Sequence, residues 1–135
     1  GYNIDSLVVS AAHDTAFSRI TVVVMGEPST YDQILRQLNK LVDVVHATSH
    51  ESTDVVDREM ALFKVKVDPK KRAEIFQIVE VFRAKTVDIT DQSLVIETTG
   101  DSSKIDALEK LLGPMGLVEM VRSGKLIMKR GVEET

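Results

Sequence analysis

Met60-Ala61-Leu62-Phe63-Lys64-Val65-Lys66-Val67-Asp68-Pro69 changes its period at the last two residues. Up to Val67 the chain alternates, with Ala61, Phe63, Val65 and Val67 on one face and Lys64 and Lys66 on the other. Side chains leave a strand on opposite sides in turn, so this is a strand with one dry and one wet face. Asp68 then reads as a helix N-cap, and Pro69 takes the first helical position, where a missing N–H is harmless. Ile75, Ile78, Val79 and Phe82 follow at helical spacing and predict a buried stripe.

The order continues downstream. Val87 and Ile89 predict a short strand, and Asp91-Gln92 a turn. Leu94, Ile96 and Thr98 alternate with Val95, Glu97 and Thr99 in another strand. Gly100-Asp101-Ser102 ends it and caps a helix whose apolar stripe is Ile105, Leu108, Leu111 and Leu112. Gly113-Pro114 stops that helix. Leu117 to Arg122 is a further strand, and after Ser123-Gly124 a short one covers Leu126 to Met128. The sequence of elements is β-α-β-β-α-β, the ferredoxin-like arrangement of an antiparallel sheet with both helices on one face.

Upstream, part of that order repeats. A shift of 74 residues, a figure read from the alignment of Gly26 on Gly100, lays Ile20–Gly26 over Leu94–Gly100. The same shift puts Tyr31, Ile34 and Leu38 over Ile105, Leu108 and Leu112, and Val44 over Val118, without a gap. At that shift the counterpart of the first strand, about residues 60–67, would fall before Gly1, and no helical stripe precedes Ile4 to stand for the first helix. The first half is therefore expected to read β-β-α-β, beginning at a second strand, Ile4 to Ser10. The expected domains are residues 1–50, a polar linker 51–58 that includes Glu51-Ser52-Thr53-Asp54, and residues 59–135. The fold class is α+β, with two tandem ferredoxin-like (βαββαβ) domains, the first incomplete (ββαβ).

Composition narrows the functional classes. At 43% hydrophobic and 28% charged residues, the chain is too apolar to stay disordered. A net charge of −4 with scattered basic residues argues against nucleic acid as a partner. There are no cysteines, which excludes disulfides, thiol nucleophiles and thiolate metal sites and fits a reducing compartment. No apolar run approaches the ~18–20 residues that a membrane span needs, so no membrane partner is expected.

Several segments together resemble the regulatory (small) subunits of acetolactate synthase. Gly1-Tyr2-Asn3-Ile4-Asp5-Ser6-Leu7 is similar to that family's Gly-aromatic-Asn-Ile-acid-Ser-Leu segment. Ser18-Arg19-Ile20-Thr21, Gln37-Leu38-Asn39-Lys40-Leu41-Val42-Asp43-Val44 and Arg58-Glu59-Met60-Ala61-Leu62-Phe63-Lys64-Val65 continue the likeness. Phe82-Arg83-Ala84-Lys85-Thr86-Val87-Asp88, Glu97-Thr98-Thr99-Gly100-Asp101 and Arg122-Ser123-Gly124 complete it in the family's order. The resemblance implies that the first domain is an ACT domain, lacking its first strand and helix here. It implies a homodimer that binds the catalytic large subunit, activates it, and confers inhibition by valine or a related branched-chain amino acid. It places the protein in the cytoplasm, or in an organelle of a eukaryote. Thiamine diphosphate, magnesium and flavin would belong to the catalytic partner, so no cofactor is expected on this chain.

By the same resemblance, Asn3 and Ile4 match one side of an effector site between paired ACT domains. The other side, a loop between the first strand and helix, would fall in the part that is absent. Read from residues alone, Asn3 is more readily a turn residue at a strand start than a group whose amide recognises an effector's ammonium or carboxylate, and Ile4 more readily a core residue than a ligand contact. His46 and His50 are spaced i, i+4, but they lie in a segment read as strand and loop, where that spacing shares no face; no metal site is expected. His13 falls in the loop Ala11-Ala12-His13-Asp14-Thr15. Arg58-Glu59 and Arg122-Ser123-Gly124 read either as solvated strand edges or as contacts with the catalytic subunit, with the first favoured. No nucleophile elbow or phosphate-binding glycine loop is present, so no catalytic residue is expected. The alternatives are a stand-alone amino-acid-sensing ACT module and a small enzyme on the same scaffold.

Overall fold

The computed structural model describes residues 3–14, 16–44, 47–50 and 53–135, with only the backbone of Asn3 and Pro28. The chain divides into two compact units, Gly1–Asp57 with Lys125–Thr135, and Arg58–Gly124.

The second unit follows the expected element order. Numbered through the whole chain, its strands are β3 (Val55–Lys66, whose first three residues belong to the first unit), β4 (Lys85–Ile89), β5 (Ser93–Gly100) and β6 (Leu117–Arg122), and its helices are α2 (Arg72–Val81) and α3 (Ser102–Leu112). The sheet order is β4-β5-β3-β6, with antiparallel pairing between neighbours. This is the ferredoxin-like order: the first strand of the unit lies between the third and the fourth. β3 begins five residues before the alternating stretch, inside the segment read as linker; the β-branched pair Val55-Val56 extends it.

The dry face of β3 builds the core. Ala61, Phe63 and Val65 pack with Leu94 and Ile96 of β5, Ile75 and Val79 of α2, and Ile105, Leu108 and Leu112 of α3. Leu111, counted in the α3 stripe, is exposed, because a 3.6-residue period turns it off the buried face. Asp68 caps as expected, its carboxylate accepting from the Lys70 N–H at 3.0 Å, but Pro69–Lys71 forms a 3₁₀ turn before α2 begins. Asp101 caps α3 by accepting from the Lys104 N–H at 2.9 Å. After α3 a 3₁₀ turn, Gly113–Met115, leads to Gly116 at φ 106°. A side chain at Gly116 would run into the Lys66 carbonyl, so only glycine fits this return to the sheet.

The first unit holds β1 (Asn3–Ala11), β2 (Ser18–Met25) and α1 (Pro28–Asn39), with β1 and β2 paired as an antiparallel hairpin. α1 lies 74 residues before α3 within one residue at its end, as the repeat predicts. The closing strand expected near Val44 does not form among the described residues: 41–43 are bend and turn, and 47–50 carry no strand. Two physical reasons apply. In the second unit the equivalent strand, β6, pairs with β3, and the described residues of the first unit contain no strand in that place. The backbone of Ala47 is also engaged elsewhere, exchanging bonds of 3.0 and 3.2 Å with the side-chain amide of Asn39 at the end of α1. β7 (Leu126–Lys129) pairs with β3, and the Arg130 N–H donates to the Asp54 carbonyl at 2.9 Å.

Candidate functional site

β1 starts at the residues singled out from sequence. Asn3 lies opposite Met25 and Ile4 opposite Val24 in the hairpin register. Between Ile4 and Ser6 the register slips, a bulge that leaves Asp5 unpaired and bends the strand end. Next to it, the Gly26 N–H donates to the Tyr31 hydroxyl at 3.1 Å, closing the β2–α1 turn. Glu27 offers no side-chain cap to α1.

Ile4 is not a core residue; it is 57% exposed. The Asn3 side chain lies outside the described residues. Ile4 is also one end of a larger surface. Leu7, Val9, Ile20, Val22 and Val24 share its face, because Leu7 faces Val22, Val9 faces Ile20 and Ile4 faces Val24. Leu7, Val9, Ile20 and Val22 are all exposed. Alternate positions behave differently: Thr21 is buried and Ser6, Val8 and Val23 are half-buried. The hairpin thus turns an apolar face outward, where the second unit's sheet mixes Met60 and Leu62 with Lys64 and Glu119.

Glu59 and Arg122 come together, and for these two the solvated-edge reading is corrected, whereas Arg58 and Ser123 are exposed. Glu59 is only 5% exposed, and its carboxylate accepts from Arg122 at 3.2 Å. The same guanidinium pairs with Asp106 and, at 3.5 Å, with Glu109 on α3. Burial alone would lower the Arg122 pKa, but the Asp106 hydrogen bond and the charges of Asp106, Glu59 and Glu109 raise it. Ser123 closes the corner: its hydroxyl accepts from the Met60 N–H at 2.9 Å, and its own N–H donates to the Met60 carbonyl at 2.9 Å. Alternation carried the signal for Glu59. It sits two residues before Ala61 on the dry face, where an unpartnered carboxylate is not tolerated.

Among the histidines, His13 is exposed and His50 meets the Thr48 hydroxyl at 3.0 Å. His46 lies outside the described residues. No group of three or more metal-ligating side chains occurs among the described residues. No described helix is long and apolar enough to cross a membrane.

Comparison with known proteins gives a consistent set. Residues 58–131 match the family described as the small subunit of acetolactate synthase, and residues 1–46 match an AHAS small subunit-like ACT domain. An acetolactate synthase small subunit from Mycolicibacterium smegmatis is 44% identical over 97% of this chain and 77% of its own length. A chloroplastic small subunit from Nicotiana plumbaginifolia is 45% identical over 96% of this chain and 28% of its own length. The crystal structure of a small subunit from Thermotoga maritima, 38% identical, aligns with a TM-score of 0.89 over 98% of this chain and 83% of that one.

Proposed function

Since the chain belongs to the acetolactate synthase small-subunit family, the regulatory rather than the catalytic partner of that enzyme, we propose that it activates a catalytic large subunit and confers feedback inhibition by valine. The observation that carries this reading is the family match across both units. The exposed Ile4 at the start of β1 supports it, since an apolar side chain held at a strand end can pack against a branched aliphatic one. Asn3 supplies an amide, able to donate to a carboxylate and to accept from an ammonium group.

The mechanism is allosteric. The chain acts as a homodimer whose ACT domains hold the effector between them, with Asn3 and Ile4 on one side. Effector binding favours one arrangement of the dimer, and the contacts with the catalytic subunit differ between arrangements. The chemistry of acetolactate formation stays on the large subunit with its own cofactors.

Mixing the chain with a catalytic subunit from the same source, and following acetolactate formation with and without valine, tests this. A rise in activity that valine suppresses is the expected outcome. A rise that valine leaves untouched would remove the sensing role from this chain, and no rise at all would remove the regulatory role.

A further inference from the structure

Arg83 is the one described non-glycine residue with positive φ, at 53°. It follows α2, and the hydrogen bonds at that end define why. The Phe82 N–H donates to the Ile78 carbonyl at 3.0 Å, Arg83 to Glu80 at 3.1 Å, and Ala84 reaches back to Val79 at 2.9 Å. This closure needs a left-handed residue at position 83, a place that glycine fills without a Cβ clash. Elsewhere the chain does use glycine for left-handed backbone, at Gly116, Gly124 and Gly131.

Arginine here is disfavoured by the backbone and gains nothing within the chain. Its guanidinium makes no hydrogen bond or ion pair among the described residues, and it is exposed. Its surroundings are those of a contact surface. Val81 is 79% exposed beside it, and Val87, at the bulge between Thr86 and Asp88, is 51% exposed. Lys85 is exposed on the same strand, and its ammonium is likewise without a partner among the described residues. That strand, β4, ends the path of the sheet, so one of its edges is open among the described residues. A strained residue kept where glycine would relax the turn points to a use for its side chain.

We propose that Arg83, with Lys85 and the exposed Val81 and Val87 close by in the chain, docks onto a carboxylate-bearing, partly apolar surface of the catalytic subunit. The planar guanidinium suits a two-point bond to a carboxylate, which fixes orientation as well as charge. The two cations supply the charge complement, and the two valines supply apolar area that excludes water from the pair. This rests on the regulatory reading above.

The test titrates the whole chain, as wild type and as Arg83→Gly, into the catalytic subunit, following binding and acetolactate formation together. The glycine variant melts at or above the wild-type temperature, since its backbone is relieved, yet needs roughly tenfold more chain for half-maximal binding and activation. Arg83→Asn, which tolerates the same backbone, behaves alike, and Arg83→Lys falls between. Added salt weakens the wild type more than the glycine variant. Equal half-maximal concentrations for the wild type and both the glycine and asparagine variants overturn the docking role alone. A wild-type chain that does not bind the catalytic subunit overturns the regulatory reading and this one with it.

Discussion

A carboxylate inside a sheet's dry face survives only with a partner, and Glu59 has one in Arg122. Desolvating the pair is costly, so its worth shows chiefly when one member is removed. Arg122→Met leaves Glu59 buried and unpaired and costs about 3 kcal/mol in urea unfolding. Glu59→Leu combined with Arg122→Met regains part of that loss, because no orphan charge remains; a double variant as unstable as the single one would refute the pairing argument. Asp101 offers a pH test. The Lys104 backbone N–H, then the Ser103 hydroxyl, hold its pKa below the ordinary 3.8. A lowered folded-state pKa means that its contribution is whole above about pH 3.8 and disappears as pH falls through the lowered value. Asp101→Asn keeps a capping oxygen but does not titrate, so its stability is expected to fall less steeply with acid than the wild type's. Acid limbs of equal slope would show that the cap contributes no pH dependence.

The two copies of the strand-turn-helix element separate on packing rather than on pattern. Ile105, Leu108 and Leu112 on α3 are fully buried, whereas Tyr31 and Ile34 on α1 are half-buried and Leu38 is exposed. Binary pattern alone makes both helices amphipathic, but a stripe stabilises a helix only when something covers it. The sheets differ in the same sense: β5 is paired on both sides, by β3 and β4, while among the described residues β2 is paired on one, by β1. Exposed ladders and shallow cores open at low free energy. Amide hydrogen exchange of the isolated chain should therefore be faster at β1, β2 and α1 than at β3, β5 and α3. Equal protection in both sets would contradict this, and protection of the first set that appears only with a partner would identify what covers it.

At the scale of the whole molecule, coupling between effector and partner must be reciprocal if the proposed function holds. Saturating catalytic subunit should change valine affinity by the same factor by which valine changes affinity for the catalytic subunit. Two titration calorimetry series, each with the other ligand present and absent, would measure both factors, and unequal factors would break the two-site scheme. Much of this molecule is legible in its sequence. The alternation at residues 60–67, the caps at Asp68 and Asp101 and the stripe of α3 specified the second unit, because each local preference there agrees with the sheet it joins. The family, too, could be read from short segments in order. What the sequence left open depends on neighbours distant along the chain. Alternation places Glu59 on the dry face, but only pairing of β3 with β6 brings Arg122 to it. The segment around Val44 carries strand-forming residues, yet a strand needs a ladder, and the Asn39 amide holds Ala47 instead. Arg83 is unremarkable as a letter in the sequence; its left-handed backbone comes from how α2 hands the chain back to β4. Period and capping act within a few residues and so are written locally, whereas burial, ion pairing and backbone strain arise when remote segments meet.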